Sequence, residues 1–209
     1  TIIPIGLDEQ SYPRPKPECV DYWRRKVGQD FFLFVGVLRY YKGLHILLDA
    51  CASSRSRVLI VGAGPVEADL KRQARRLGLG NVDFLGAVPD EDKVALLKLC
   101  RGVVFPSHLR AEAFGVTLLE GAMYGKPLIS SEIGTGSSYV NIDGVTGLVV
   151  PPSNPIALRE AMLRLQSDQA LADSMGHNAR ARFERLFTAR QMASAYKELY
   201  WRVLDFSIG

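Results

Sequence analysis

Two glutamates, Glu112 and Glu120, flank a seven-residue run that begins with Ala-Phe-Gly. The first follows an apolar strand predicted at residues 103–105, and the second lies near the second turn of a helix predicted to open at about Gly115. A helix start without bulky polar side chains leaves bare N–H groups and a positive dipole end for an anion. Two carboxylates beside an anion site predict a ligand with both phosphates and hydroxyls, and a nucleotide-sugar meets that description.

Two basic residues, Arg39 and Lys42, follow an apolar strand at residues 31–37 and precede a helix predicted at 43–52. Arginine offers a planar fork and lysine a mobile point charge, a combination that suits a diphosphate. When a glycosidic bond to a nucleotide breaks, the diphosphate gains negative charge, so cations aimed at it favour the transition state. We therefore expect both residues to bind the donor phosphates; the alternative is a pair of ordinary surface cations.

The elements that must position these residues alternate along the chain. Strands are predicted at 31–37, 57–61, 81–85, 102–105, 127–130 and 146–150, and helices at 43–52, 66–77, 90–100, 116–124, 155–166, 169–185 and 189–204. Continuous apolar strands between helices indicate an α/β, Rossmann-like parallel sheet of about six strands with helices on both faces. Such sheets bind ligands beyond the carboxyl ends of their strands, where the residues after strands one, three and four all fall.

The chain has 209 residues and 47% hydrophobic content, which is enough for one compact domain. Residues 1–30 are predicted to be an extended connector and lead-in, because Pro13, Pro15 and Pro17 oppose helix formation. Residues 155–209 are predicted to be closing helices. An apolar stripe at helical spacing favours core packing of the last helix, and the alternative is an exposed patch that contacts another domain. The stripe comprises Met192, Tyr196, Leu199, Tyr200, Val203 and Leu204.

The net charge and the cysteine content indicate which binding partners and which cellular compartment to expect. The net charge of +4 favours anionic ligands without indicating nucleic acid, and most arginines fall on helix faces that are either solvated or available to an anionic membrane surface. Three cysteines without a Cys-x-x-Cys pair predict no disulfide framework, which suits a reducing cytoplasm. No apolar run reaches 18 residues. We expect a cytoplasmic protein, with peripheral contact at the inner face of the plasma membrane as the alternative.

Four segments together resemble a known family. They are residues 106–129, 36–43, 84–88 and 143–152, and they correspond to a donor-binding signature, a diphosphate-binding segment, a base-contacting turn and a hairpin. In this arrangement the chain resembles the retaining glycosyltransferases of family 4, which have two Rossmann-like halves in the GT-B fold. The resemblance implies that this chain is the C-terminal, donor-binding half. It also implies a missing N-terminal, acceptor-binding half, so this domain alone is expected to bind nucleotide without catalysing transfer.

The resemblance assigns roles to single residues. Glu120 would accept hydrogen bonds from the ribose hydroxyls, and Glu112 would contact the transferred sugar. Val88 would contact the base through its main chain. Two backbone N–H groups, those of Gly115 and Val116, would bind the diphosphate or the sugar.

Three further residues near these segments have two interpretations each. Phe114 belongs to the donor-binding signature, but an aromatic residue there more often packs than binds. Asp90 is either a helix N-cap or a partner for a guanine edge. His108 lies close enough in sequence to approach the donor sugar, although a structural role is favoured.

The implied reaction moves a hexose from a GDP- or UDP-sugar to a hydroxyl acceptor. Residues 134–141 resemble members that build bacterial surface polysaccharides such as lipopolysaccharide from GDP-mannose. No cofactor and no metal site are expected, because cations and a helix N-terminus would balance the diphosphate charge.

Other functions compete with this reading. The run at residues 61–67 partly matches the dinucleotide-binding motif Gly-x-Gly-x-x-Gly, but Glu67 replaces its third glycine. A sugar-nucleotide epimerase shares the architecture but needs additional acid and base residues. A non-catalytic nucleotide-binding module would keep the fold and lose the chemistry.

Overall fold

The computed structural model describes residues 1–206, so residues 207–209 of the predicted closing segment lie outside it. A single parallel sheet has the strand order β3-β2-β1-β4-β5-β6. Its strands are β1 Phe31–Val35, β2 Arg57–Val61, β3 Val82–Gly86, β4 Gly102–Phe105, β5 Leu128–Ser131 and β6 Gly147–Val150. The predicted Rossmann-like sheet of about six strands is confirmed.

Helices cover both faces of this sheet. They are α1 Pro17–Val27, α2 Leu44–Cys51, α3 Glu67–Arg76, α4 Asp90–Leu99, α5 Val116–Met123, α6 Gly136–Val140, α7 Pro155–Ser167, α8 Gln169–Leu186 and α9 Ala189–Phe206. One buried cluster packs α2, α3 and α7 on one face, and a second packs α1, α4, α5 and α8 on the other. Because β1 is buried on both faces, its sequence is the apolar run Phe-Phe-Leu-Phe-Val.

The lead-in is not wholly extended, because α1 occupies Pro17–Val27. The predicted extended lead-in was wrong because Pro17 stands in the first turn of the helix, where a missing N–H costs nothing and a fixed φ is favourable. Trp23 and Val27 anchor the helix against α4 in the core, and the indole of Trp23 donates to Asp92 at 2.8 Å. The two earlier prolines do lie outside any helix.

The glycines of the run at residues 61–67 allow two loops to pack closely. A Cβ on Gly62 would lie 2.0 Å from the carbonyl oxygen of Gly36, and one on Gly64 would lie 2.4 Å from that of Leu38. The loops that follow β1 and β2 therefore touch through backbone. This contact explains the Gly-x-Gly spacing without a dinucleotide.

The predicted hairpin at residues 143–152 is a tight turn that leads into β6. Strand β6 pairs in parallel with β5, with Ser130 opposite Val149, so the segment adds a strand to the sheet edge. The side-chain amide of the buried Asn141 donates to Ser130 Oγ at 2.9 Å and to the carbonyl of Leu148 at 3.2 Å. The turn of the predicted hairpin is present, because the Gly144 N–H donates to the carbonyl of Gly147 at 2.9 Å. Its second strand is not, because β6 pairs with β5 and the described residues contain no strand between the two.

The apolar stripe of α9 is largely exposed rather than packed in the core. Tyr196, Tyr200, Val203 and Leu204 are between 43% and 63% accessible, as is the neighbouring Trp201 at 60%. Helical spacing correctly predicted the helix, but it does not reveal what covers an apolar face. Core packing of this stripe within residues 1–206 is therefore wrong.

Candidate functional site

The loops after β1 and β4 meet at the carboxyl edge of the sheet because these two strands are neighbours. The first loop contains a short 3₁₀ helix at Tyr40–Lys42 and ends at Gly43, which has a left-handed φ of 69°. A Cβ on Gly43 would lie 2.0 Å from the carbonyl oxygen of Pro106, which follows β4. The backbone N–H of His108 also donates to the carbonyl of Tyr41 at 3.0 Å. Residues predicted to share a site are thus held together by backbone contacts.

Lys42 and Glu112 form a nearly buried ion pair at this junction. The Lys42 ammonium contacts Glu112 Oε2, and the side chains are only 13% and 10% accessible. The hydroxyl of Ser107 donates to the same oxygen at 3.3 Å. The rings of Phe105 and Tyr41 flank the ammonium at 5.0 and 5.4 Å from their centroids. Among the hydrogen bonds and ion pairs of residues 1–206, Glu112 does not pair with its sequence neighbour Arg110.

Arg39 lies three residues before Lys42 in the sequence but takes no part in the Lys42–Glu112 ion pair. Its side chain is exposed and has no hydrogen-bond or ion-pair partner among the described residues. The uncommitted guanidinium can therefore bind an incoming anion without breaking an existing contact. Lys42, in contrast, must share or leave Glu112 to do so.

The N-terminus of α5 opens next to the same loop. Gly115 is the N-cap residue with a φ of 88°, and no side chain caps the helix. A Cβ on Gly115 would lie 3.1 Å from the ring of Phe105 and from Leu118, so a side chain would also crowd the core. Val116 is 45% accessible. The first N–H groups of α5 are left for a ligand or water.

Glu120 is buried on α5 and already has partners. Both the Tyr12 hydroxyl and the Lys93 ammonium contact its Oε1 at 3.0 Å. Burial and the neighbouring Glu120 charge raise the pKa of the Tyr12 hydroxyl above its ordinary value, so this group stays a donor. Glu120 Oε2 has no partner among the described residues. One carboxylate oxygen is thus held in place while the other remains available to a hydroxyl.

Asp90 is the first residue of α4, whereas Pro89 occupies the N-cap position. The predicted N-cap role of Asp90 is wrong, because its side chain makes no capping bond and instead lies 3.0 Å from Lys93. Lys93 thereby bridges Asp90 and Glu120. The half-buried Val88 precedes this turn, on the same side of the sheet as Glu120.

The run Asp90-Glu91-Asp92 has the Asp-x-Asp spacing of an acidic metal-binding motif. Each carboxylate is engaged elsewhere: Glu91 accepts from the Lys16 N–H at 2.8 Å, and Asp92 accepts from Trp23. Within residues 1–206 no cluster of three His, Cys, Asp or Glu side chains could hold a metal ion. The run therefore joins α4 to α1.

Phe114 packs rather than facing a ligand. Its ring meets that of Phe187 edge-to-face at 6.4 Å, and it lies against Gly136, whose added Cβ would come within 2.5 Å of it. The Gly136 N–H donates to the carbonyl of Ala113 at 2.9 Å. The short helix α6 thus supports the loop that carries Glu112.

Several residues of this edge were not found by sequence reasoning. Tyr12, Lys93 and Ser107 contact the two glutamates, but no motif marks them because their partners are 108, 27 and 5 residues away. Tyr40, His45 and His108 form a compact aromatic group with centroids 5.0 Å apart. Burial lowers the pKa of His45 and of His108, so both imidazoles favour the neutral form near neutral pH.

Fold and site together define a class of protein: a parallel α/β domain that presents cations, a free helix N-terminus and two carboxylates at one sheet edge. The match to the family described as "Glycosyl transferases group 1" covers residues 19–182, and the chain belongs to that family. Its sheet and helices match solved structures of the GT-B glycosyltransferase fold.

Two curated relatives are similar over most of this chain. One is D-rhamnosyltransferase WbpZ of Pseudomonas aeruginosa, which is 63% identical over 90% of this chain and 49% of its own length. The other is O-antigen chain mannosyltransferase C of Escherichia coli, which is 54% identical over 98% of this chain and 55% of its own length. The chain thus spans about half the length of these relatives.

Solved structures agree on the architecture. Anabaena HepE in complex with UDP and glucose has a TM-score of 0.83 at 25% identity, covering 96% of this chain and 56% of its own. Sucrose-phosphate synthase from Thermosynechococcus elongatus has a TM-score of 0.82 at 27% identity, covering 98% and 53%. In residues 1–206 no helix combines the length and hydropathy required to span a bilayer.

Proposed function

We propose that this chain is the donor-binding half of a retaining, family 4 hexosyltransferase that uses a nucleoside-diphosphate sugar. The observation that carries the proposal is the nearly buried Lys42–Glu112 ion pair. Its ammonium would bind the diphosphate, and its carboxylate would face the transferred sugar. Arg39 and the free N-terminus of α5 lie at the same edge and add positive potential.

The donor site would extend across the sheet edge, from α4 and α5 on one face toward α2 on the other. Val88 and Asp90 would contact the base, and Glu120 Oε2 would accept a hydrogen bond from a ribose hydroxyl. The diphosphate would lie over Gly115 and Val116. Lys42 and Glu112 would then contact the diphosphate and the transferred sugar.

In the transfer step the bond between the anomeric carbon and the diphosphate oxygen breaks while the acceptor hydroxyl attacks from the same face. The acceptor proton passes to the leaving phosphate oxygen. Arg39 and Lys42 would stabilise the growing diphosphate charge, and the Glu112 carboxylate would stabilise the positive charge on the sugar ring. Lys42 would move from Glu112 toward the phosphate as the donor binds.

The donor is proposed to be GDP-mannose or a related GDP-deoxyhexose. The names of the two relatives, which refer to rhamnose and mannose transfer, support this choice. Asp90 supports it independently, because its largely exposed carboxylate can accept hydrogen bonds from the N–H edge of guanine. The UDP complex of Anabaena HepE supports UDP as the alternative nucleotide. The product would enter O-antigen or a similar polysaccharide.

The acceptor half is proposed to cover the exposed apolar stripe of α9. Tyr200 and Trp201 are about 60% accessible, and a contiguous apolar surface of this kind marks a contact site. Since the chain spans about half of its relatives, a second domain is the fitting partner. This domain alone is therefore expected to bind nucleotide without catalysing transfer.

Glu120 provides a test of the ribose contact. We expect Glu120→Ala to weaken binding of a ribonucleoside diphosphate by about tenfold or more, because a hydrogen bond to a charged group contributes roughly 1.5–3 kcal/mol. Binding of the 2′-deoxyribonucleotide should change less. Calorimetry of both nucleotides with the wild type and the variant gives the comparison; equal losses would assign Glu120 to structure alone, through Tyr12 and Lys93.

The transfer reaction itself is tested with the full-length protein. We expect release of GDP from GDP-mannose in the presence of an acceptor, and an α-linked product by NMR of the anomeric proton. Transfer with inversion would refute the retaining class, and nucleotide binding without any transfer would leave only a non-catalytic module. Release of a free, epimerised sugar nucleotide would instead identify the epimerase.

A further inference from the structure

A hollow of about 240 Å³ lies between the 3₁₀ helix Tyr40–Lys42 and α3, next to the proposed donor site. Tyr40 and His45 form its aromatic wall, and Leu44, Val66 and Leu70 form its apolar floor. Asp69 and Gln73 supply polar groups at its rim. The volume falls below the roughly 300–1,000 Å³ of pockets for drug-sized ligands, so it suits a single small ring.

The rings of the aromatic wall pack against one another, and Tyr40 is exposed. The rings of Tyr40 and His45 stack in parallel, with an interplanar angle of 4° and centroids 5.0 Å apart. His108 meets both rings edge-on at 5.0 Å and fixes them from the side. Tyr40 is nevertheless 62% accessible. A fixed aromatic ring with an open surface is suited to pack against the apolar C–H face of a pyranose, at little cost in side-chain entropy.

The polar rim offers both kinds of hydrogen-bonding group that sugar hydroxyls need. The Gln73 amide nitrogen donates to the carbonyl of His45 at 2.9 Å and to Asp49 at 2.8 Å, which leaves the amide oxygen as an acceptor. The Asp69 side chain is 65% accessible and contacts only Arg72 in the described part of the chain. Arg39 also lines the hollow, and its guanidinium is an uncommitted donor.

The position of the hollow indicates whether it would bind the donor sugar or the acceptor sugar. Glu120 and Asp90 belong to α5 and α4 on one face of the sheet, whereas the hollow lies over α2 and α3 on the opposite face. His108 is adjacent to Ser107, which contacts Glu112, so the aromatic wall follows directly after the proposed transfer point. Arg39 lines the hollow and is also assigned to the diphosphate, so the hollow adjoins the leaving group. Because the acceptor hydroxyl would attack from the same face as the leaving phosphate, a sugar bound in the hollow belongs to the acceptor.

We propose that this hollow is an acceptor subsite on the donor half, in which Tyr40 packs against a pyranose ring of the acceptor glycan and Asp69 and Gln73 bind its hydroxyls. The inference rests on the proposed transferase function. His45 and His108 act as positioning residues for the Tyr40 ring. The subsite would let both halves of the enzyme hold the acceptor.

The test uses the full-length protein with GDP-mannose and three acceptor probes, the octyl glycosides of mannose, rhamnose and N-acetylglucosamine. We expect Tyr40→Ala to raise the KM of the preferred probe by about fivefold to tenfold, as for loss of an aromatic contact, and Tyr40→Phe to stay near wild type. Hydrolysis of the donor by water needs no acceptor and should not change. Tyr22→Ala removes a 49% accessible tyrosine on α1 and serves as the matched control.

The outcomes of this experiment separate failure of the subsite from failure of the transferase function. An acceptor KM that changes no more than in Tyr22→Ala, or donor hydrolysis that falls in parallel, would overturn the subsite. A probe that is not turned over is measured by saturation-transfer NMR with GDP present, and the absence of a Tyr40-dependent signal for all three probes would also overturn it. Absence of both hydrolysis and transfer in the wild type would instead refute the proposed function. A raised KM in Asp69→Ala would support the polar rim.

Discussion

Glu112→Gln is expected to abolish most sugar transfer by the full-length protein while leaving nucleotide binding nearly intact. Glutamine keeps an oxygen that accepts from Lys42 and Ser107, so the packing of this nearly buried side chain is preserved. It removes the negative charge that would face the positively charged sugar ring. Loss of one preorganised electrostatic group at a transition state lowers kcat by about 10²–10³.

The control for this variant is Glu160→Gln, which makes the same chemical change at an exposed position on α7. Initial rates of GDP release and calorimetric affinities for GDP should be measured for both variants. A kcat for Glu112→Gln within about threefold of wild type would show that the carboxylate takes no part in the chemistry. An equal loss of rate and of GDP affinity would make Glu112 a binding residue only.

Lys42→Met is expected to raise the dissociation constant of a nucleoside diphosphate by about tenfold to a hundredfold, since a charge-assisted hydrogen bond contributes roughly 1.5–3 kcal/mol. Methionine keeps part of the apolar stem beside Phe105 and Tyr41. The variant also leaves Glu112 without its cation, so the free protein should unfold more easily. Calorimetry and thermal unfolding separate these two effects.

Lys71→Met supplies the matched control, because Lys71 pairs with Glu67 on α3 at a more exposed site. Its nucleotide affinity should equal that of the wild type. The double variant Lys42→Met with Glu112→Gln should unfold less easily than Lys42→Met alone, because no buried charge is left unpaired. If the Lys42→Met variant binds nucleotide as tightly as the wild type, Lys42 does not bind the diphosphate.

The sheet was predictable because its signal is local. Each central strand is a short apolar run, and each helix start or stop is marked by glycine, proline or a change of period, so β2 and β4 have the predicted bounds. The first helix was missed because Pro17 opposes a helix interior but favours a helix start. Helix α6 has only five residues and no apolar period, and it was also missed.

The candidate site was predictable as a set of positions but not as a set of contacts. Strand ends meet at one edge, so Lys42 and Glu112 were expected to be near each other, and their ion pair bears out that proximity. Tyr12, in contrast, reaches Glu120 from a lead-in that has no regular period. The aromatic wall of Tyr40 and His108 joins two loops through ring packing, for which a single sequence carries no signal.

The most direct test of the donor site is calorimetric titration of this domain with GDP, UDP and ADP, each with and without Mg²⁺. We predict that one diphosphate, GDP before UDP or ADP, binds equally well with and without metal, and that Lys42→Met and Glu120→Ala weaken its binding. Failure of all three nucleotides to bind either this domain or the full-length protein would show that this sheet edge is not a nucleotide site.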